Sequence, residues 1–216
     1  MSIKSLLFPT RQLCYLCKEK TPYLKSFTCT QCYEKLDFVY KEVEIDSLYI
    51  DRVFYALTYN RYLRELMHDF KFNRKSYLYK PFSKFIISMI KEKGIEGIDL
   101  IMFIPIHRRK EAIRGYNQSE LLATYISKEL NIPISRGNLI KKKWTREQNT
   151  LDRIQRLNNL RESFSIKKPE EITGKRILLI DDILTTGATF NECSKTLNKN
   201  GAKAITALAL TSSKTI

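Results

Sequence analysis

Residues 178–189 read LLIDDILTTGAT. An apolar run ending at Ile180 leads into two adjacent carboxylates, Asp181 and Asp182. Thr185-Thr186-Gly187-Ala188-Thr189 follows, with hydroxyls and a permissive backbone but no charge. Lys175 to Ile180 predicts a strand buried on both faces, because a central parallel strand tolerates almost no polar interruption. Thr186 to Lys199 predicts the next helix, stopped at Asn200-Gly201. In such a sheet the turn after the strand lies at the ligand crevice. The first N–H groups of the helix form an anion site there. Gly187 lets the backbone come close to a phosphate, and the threonines add donors. The two carboxylates repel that phosphate and require a partner bearing hydroxyls or Mg²⁺. A sugar phosphate meets both demands, with its phosphate in the turn and its diol against Asp181 and Asp182. Two other folds with acids or phosphate loops fail. A receiver domain carries its acids near its start, and only 34 residues follow Asp182 here. The P-loop pattern G-x-x-x-x-G-K-[ST] is absent.

Outward from this stretch the chain alternates between strand and helix. Residues 52–59 (RVFYALTY) predict a strand, and 61–70 a helix with Leu63, Leu66, Met67 and Phe70 on one side. Residues 81–92 predict a second helix and 99–105 (DLIMFIP) a buried strand. Residues 115–130 predict a long amphipathic helix, and 204–210 (AITALAL) the last strand. The alternation implies an α/β fold with an open, mostly parallel sheet flanked by helices.

Four of the five cysteines form two pairs, Cys14-x-x-Cys17 and Cys29-x-x-Cys32, eleven residues apart. This spacing suits a tetrahedral zinc ribbon; a pair of redox sites is the poorer alternative. Four thiolates close the coordination sphere, so the zinc would be structural. A module of about 45 residues has too little core to stand without such a staple. We expect residues 1–45 to form the ribbon and 46–216 the main domain, with 141–165 a mobile basic loop or helix. Cys193 shares a helical face with Phe190 and Leu197 and reads as a packed core thiol.

The chain carries 38 Lys+Arg against 23 Asp+Glu, a net charge of +15. Such an excess favours polyanions, although lysine-rich coding composition accounts for the same total. Residues 141–161 hold seven basic residues against Glu147 and Asp152, and include the only tryptophan. Lys141, Lys142, Lys143, Trp144, Arg146, Arg153 and Arg156, with Lys71, Arg74 and Lys75, are candidate contacts for single-stranded nucleic acid. An aromatic among lysines can stack on a base. A plug under a loop explains Trp144 equally well, and solvated helix faces explain the lysines. His107 reads as a donor or a plain loop residue, and His68 as a structural one. No apolar run spans a bilayer, and the N-terminus lacks a signal peptide's apolar core. A cytoplasmic location is expected, with peripheral membrane association left open.

ILLIDDILTTGAT resembles the phosphoribosyl pyrophosphate (PRPP) signature of type I phosphoribosyltransferases. The resemblance implies that fold, with the 5-phosphate on Thr185, Thr186, Gly187, Ala188 and Thr189. It implies Asp181 and Asp182 on the ribose hydroxyls, directly or through Mg²⁺, as the candidate catalytic residues. The pyrophosphate would lie against Ile106, His107, Arg108 and Arg109, where a leaving group of high charge needs cations and N–H donors. A longer pattern runs from the paired CxxC knuckles through YNRYLRELMHDFKFNRK (59–75) and PIHRRKEAIRGYNQSELLA (105–123). It continues with Gln148-x-x-Leu151-x-x-x-x-Arg156-x-x-Asn159 and ends at TTGAT. This pattern is similar to the ComF family of competence proteins, including its ComFC branch and GntX-like relatives. Membership implies cytoplasmic handling of incoming single-stranded DNA during natural transformation, with a helicase-like competence protein as partner. KKWTREQ (142–148) departs from the arginine-rich stretch of many relatives. The alternative is an active transferase moving phosphoribose from PRPP to a base or amine, although no segment selects a particular acceptor.

Overall fold

The computed structural model describes residues 12–143 and 162–213. A short antiparallel ribbon, β1 (Gln12–Leu13) and β2 (Lys20–Thr21), precedes helix α1 (Thr30–Glu34). Then follow β3 (Phe38–Glu42), β4 (Arg52–Thr58), α2 (Arg61–Phe72), α3 (Tyr79–Glu92) and β5 (Leu100–Phe103). Helices α4 (Arg108–Arg114) and α5 (Gln118–Leu130) lead to a hairpin of β6 (Leu139–Lys141) and β7 (Phe164–Ile166). Strand β8 (Arg176–Leu184), α6 (Ala188–Lys199) and β9 (Ala204–Ser212) complete the chain.

The main sheet has the order β3-β4-β9-β8-β5, parallel throughout except for β3, which runs antiparallel to β4 at one edge. This is the mostly parallel α/β sheet expected from the alternation. Strand β3 comes from within the first 45 residues, so that stretch serves both the cysteine module and the sheet edge. The central strands β8 and β9 are nearly all apolar, because both faces are covered. One face packs Leu178, Ile180 and Leu208 against Phe70, Phe82, Phe85 and Leu122 of α2, α3 and α5. The other packs Ile177, Leu179 and Ala207 against Phe190, Cys193 and Leu197 of α6. Cys193 is fully buried there, as its spacing predicts.

Several element boundaries differ from the sequence reading, and three of the differences have a clear local reason. Strand β8 does not stop at the acids. Its pairing with β9 continues through Asp181↔Ala209 to Leu184↔Ser212. The helix expected over 115–130 starts only at Gln118, because Gly115 ends a preceding helix, α4, in a left-handed conformation (φ 84°) that favours glycine. Helix α5 then starts afresh at Gln118, capped by Asn117, whose side chain accepts from Ser119 N–H. Helix α6 begins at Ala188 and not at Thr186, because Gly187 (φ 82°) sits at its N-cap. A Cβ there would meet Ile45 Cγ2 at 3.3 Å. The glycine is therefore required by its backbone angle and by Ile45, in addition to any approach of a ligand.

Candidate sugar-phosphate crevice and cysteine cluster

The crevice forms where β8 passes the N-terminal end of α5 and the C-terminal end of α2. Successive strand residues point to opposite faces of a sheet, so the two acids part company. Asp182 is buried and faces α2, where Lys71 Nζ lies 3.0 Å from its Oδ2. Asp181 is half-buried and accepts from Ser119 Oγ at 2.7 Å and from Asp182 N–H at 2.8 Å. Burial and the adjacent Asp182 carboxylate push the Asp181 carboxyl up to about 7, against the two hydrogen bonds and Lys71, which pull it down.

The run Tyr116-Asn117-Gln118-Ser119 ties these acids to α2. Tyr116 Oη donates to the Phe70 carbonyl at 2.6 Å, and Gln118 Nε2 donates to the same oxygen at 3.2 Å. Helix C-termini leave their last carbonyls without intrahelical partners; here two side chains serve one of them. Arg114 Nη1 reaches Gln118 Oε1 at 3.2 Å, and Asn117 Nδ2 reaches the Ile104 carbonyl at 3.0 Å. Buried Asn117, Gln118 and Ser119 are thus satisfied by backbone and by the acid. The turn after β8 is quieter. Thr186 Oγ1 accepts from Ala188 N–H at 3.3 Å, and Gly187 gives α6 no side-chain cap. The first turn of twelve-residue α6 thus faces the turn with Thr186 on Ala188 N–H and no side chain at the N-cap itself.

The other candidate residues are spread more widely than the sequence suggested. Ile106 and His107 are half-buried, and Arg108 and Arg109 are exposed. His107 caps α4 through Nδ1, which accepts from Arg109 N–H at 3.2 Å. Of the four residues expected in the loop, Ile106 and His107 lie in it, and Arg108 and Arg109 begin α4. Of the nucleic-acid candidates, Lys71 is turned inward onto Asp182 and Lys75 pairs with Asp69 at 2.8 Å, while Arg74 is exposed. Lys141 lies over the Phe164 ring at 5.5 Å. Its ammonium is pushed down in pKa by burial, with Cys193, Lys110 and Asp181 as charged or titratable neighbours. Lys142 and Lys143 are exposed. Trp144, Arg146, Arg153 and Arg156 lie outside the described residues, as does the Gln148–Asn159 pattern. Reasoning from sequence missed the pairing of Lys71 with Asp182. A signal existed: Leu63, Met67 and Lys71 are spaced by four and share one helical stripe. It also assigned no role to Ser119, Tyr116 and Gln118, although three polar residues opening an amphipathic helix are a signal of capping or a site.

The cysteine cluster is compact. The sulfurs of Cys14, Cys17, Cys29 and Cys32 all lie within 4.8 Å of one another, and none is in a disulfide. Bonds of about 2.3 Å in a tetrahedron put sulfurs about 3.8 Å apart. Cys17 and Cys29 stand at 3.8 Å, so the set fits a zinc ion. Cys29 N–H points at Cys14 Sγ at 3.3 Å. Burial raises the Cys14 thiol, but the backbone donors of Cys17, Cys29 and Leu16 outweigh it and bring it to about 7. Leu16 and Tyr62 pack over the sulfurs and also against the main core. Tyr33 stacks on Phe38 at 4.6 Å, and Phe38 meets Phe85 of α3 at 5.1 Å. The module is therefore stitched to the sheet and α3 by aromatic contacts.

Among the described residues no helix is long and apolar enough to cross a membrane. A phosphoribosyl transferase domain model matches residues 117–214. The DNA utilization protein YhgH of Escherichia coli is 29% identical over 66% of this chain and 64% of its own length. The competence protein F of Haemophilus influenzae is 32% identical over 65% of this chain and 63% of that one. The competence protein ComFC of Bacillus subtilis is 27% identical over 92% and 83%. The chain thus spans less than two thirds of the YhgH and competence protein F relatives it matches. Among solved structures, a B. subtilis glutamine PRPP amidotransferase complexed with ADP and GMP is 18% identical, with a TM-score of 0.41, over 60% of this chain and 26% of that chain. Strand order and the domain match, and not this distant likeness, carry the fold. Relatives named for competence and DNA utilization, together with the phosphoribosyl transferase domain, support assigning this chain to a ComF/ComFC-type family.

Proposed function

We propose that the protein serves in competence and binds PRPP with Mg²⁺ in the crevice at the carboxyl end of β8, in the cytoplasm. One observation carries this reading: two acids near the carboxyl end of β8 are followed by the Thr185–Gly187 turn and a glycine-capped helix that has no N-cap side-chain hydrogen bond. The phosphate would sit on Thr185 to Thr189, and Asp181 and Asp182 would hold the diol or the ion. Bound Mg²⁺ would supply positive charge to the diol and the pyrophosphate. Ser119 orients Asp181, and the buried walls of α2 and α5 limit water around both acids. Ile106 to Arg109, at the start of α4, would face the pyrophosphate. Calorimetric titration of Mg–PRPP into zinc-loaded protein tests this. Binding by the parent is expected, and a loss of at least about 100-fold in Asp181→Asn/Asp182→Asn, since each unpaired buried acceptor costs about 1–3 kcal/mol. No binding by the folded parent would overturn the reading.

A second site observation favours single-stranded DNA as a further ligand, in keeping with the name of the E. coli relative. A groove of about 510 Å³ lies between the cysteine module and helices α3 and α5. Phe27, Tyr79, Tyr125, Lys80, Lys128 and Glu129 line it, and Glu129 is neutralised by Lys84 at 2.6 Å. Beside it Lys18 Nζ stands 3.2 Å over the Tyr77 ring, and Lys80 Nζ lies 3.4 Å from Tyr15 Oη. Rings interleaved with ammonium groups offer stacking surface and phosphate contacts together. Fluorescence anisotropy with oligo(dT) should show Lys80→Ala/Lys128→Ala binding about 10-fold more weakly. The salt slope should be shallower by about 1.4, two contacts at about 0.7 each. An unchanged slope would remove this groove from the reading. The transformation partner, a helicase-like competence protein, belongs to the same proposal.

A further inference from the structure

The Lys71 ammonium stands 3.0 Å from Asp182 Oδ2, with only 19% of the lysine side chain and 8% of the aspartate exposed. An oxygen so placed already has a cation. Mg²⁺ bonds a carboxylate at about 2.0–2.1 Å, and two cations on one oxygen repel strongly in a site of reduced dielectric. We propose that Lys71 is the resident cation of the crevice, and that a divalent ion reaches Asp182 only by displacing it. This rests on the PRPP reading in one respect, that Asp182 faces the ligand's cation.

The placement is built into the fold. Lys71 follows Phe70, whose carbonyl is gripped by Tyr116 Oη and Gln118 Nε2. Those two donors come from the turn opening α5, which also presents Ser119 to Asp181. One turn thus fixes the counterion of one acid and the hydrogen-bond donor of the other. Phe70 itself is fully buried and meets Phe82 and Tyr116, so α2 has little freedom to withdraw the lysine by rolling. The four-carbon stem of Lys71 supplies the mobility instead. It can swing its ammonium from Asp182 to a ligand phosphate while the helix stays in place. Asp182 would then change partners without ever being left uncompensated.

Manganese binding to zinc-loaded full-length protein, followed by electron paramagnetic resonance of free Mn²⁺, tests this without PRPP. The parent should bind Mn²⁺ weakly. Lys71→Met should bind it at least about 10-fold more tightly, Lys71→Arg should match the parent, and Tyr116→Phe/Gln118→Leu should fall between. The gain should vanish when Asp182→Asn is added to Lys71→Met. Zinc content and the melting curve report folding, and Lys71→Gln, a neutral donor of similar reach, takes the place of Lys71→Met if that variant does not fold. Equal or weaker Mn²⁺ binding after loss of the lysine would overturn the proposal, as would a gain that survives loss of Asp182. Because Mn²⁺ is the probe, failure of PRPP to bind in calorimetry would leave this result standing, and the two failures are distinguishable.

Discussion

The cysteine cluster and the crevice are both small polar sites, but they are assembled over different distances along the chain. All four sulfurs come from 19 residues, Cys14 to Cys32, and they converge within 4.8 Å. The crevice gathers Lys71, Tyr116, Ser119 and Asp181–Asp182, whose separations in sequence reach more than 100 residues. The first site is a cluster of four thiols with little apolar core of its own, of the kind that a bound ion holds in shape. The second is held by the sheet and the helices around it, so its ligand adds to a surface already formed. A staple and a socket should respond differently to loss of what they hold.

Stripping the metal is the strongest way to test that contrast. Structural zinc in small modules contributes on the order of 10–16 kcal/mol of binding free energy at neutral pH. Cys32→Ser, or treatment with a strong chelator, should release the ion and unfold residues 12–34. Tyr33 and Phe38 would lose their seat beside Phe85. A loss of about 3 kcal/mol transmitted to the body would lower Tm by about 6–12 °C for a chain of this size. Heating monitored by near-ultraviolet circular dichroism, with zinc measured in parallel, checks this. The crevice should still bind Mg–PRPP at low temperature. Equal loss of both functions would show that staple and socket form one cooperative unit.

The same contrast governs what could be read from the sequence. The four-cysteine cluster was legible because the spacing of the two CxxC pairs alone brings the sulfurs together. The existence of strand β8 and helix α6 was legible because apolar patterning is a local signal, but the limits of the turn between them were not. Even the open α/β sheet followed from the alternation of short patterns. The role of Lys71 was not read, since a lysine in a basic stretch looks solvated until the opposite wall is known. Its stripe-mate Met67 hinted otherwise. Similarly, Gly115 looked like the start of one helix. Its left-handed conformation, which divides α4 from α5 and lets Asn117 cap the second, depends on where the chain must turn. Asp181 and Asp182 read as a pair because they are neighbours in sequence. Only continuation of β8 along β9 sends them to opposite faces.

A smaller effect distinguishes the two acids by pH. Burial and the neighbouring carboxylate raise Asp181 to about 7 in the folded protein, against about 4 in an unfolded chain. Between those values the folded state keeps a proton that the unfolded state has lost. By linkage, the contribution of this group is fully present below about pH 4 and declines as pH rises through 7. Urea midpoints of the parent should therefore carry a downward component across that window that Asp181→Asn lacks. Ser119 donates to Asp181 and favours its charged form, so Ser119→Ala should move the titration to higher pH. A hydrogen bond to a charged group is worth about 1.5–3 kcal/mol, which corresponds to a shift of about one to two pH units. Carbon-13 shifts of the aspartate carboxyls read the midpoint directly. If Ser119→Ala leaves it in place, Ser119 serves α5 alone, and the link between the Tyr116–Ser119 turn and Asp181 is broken.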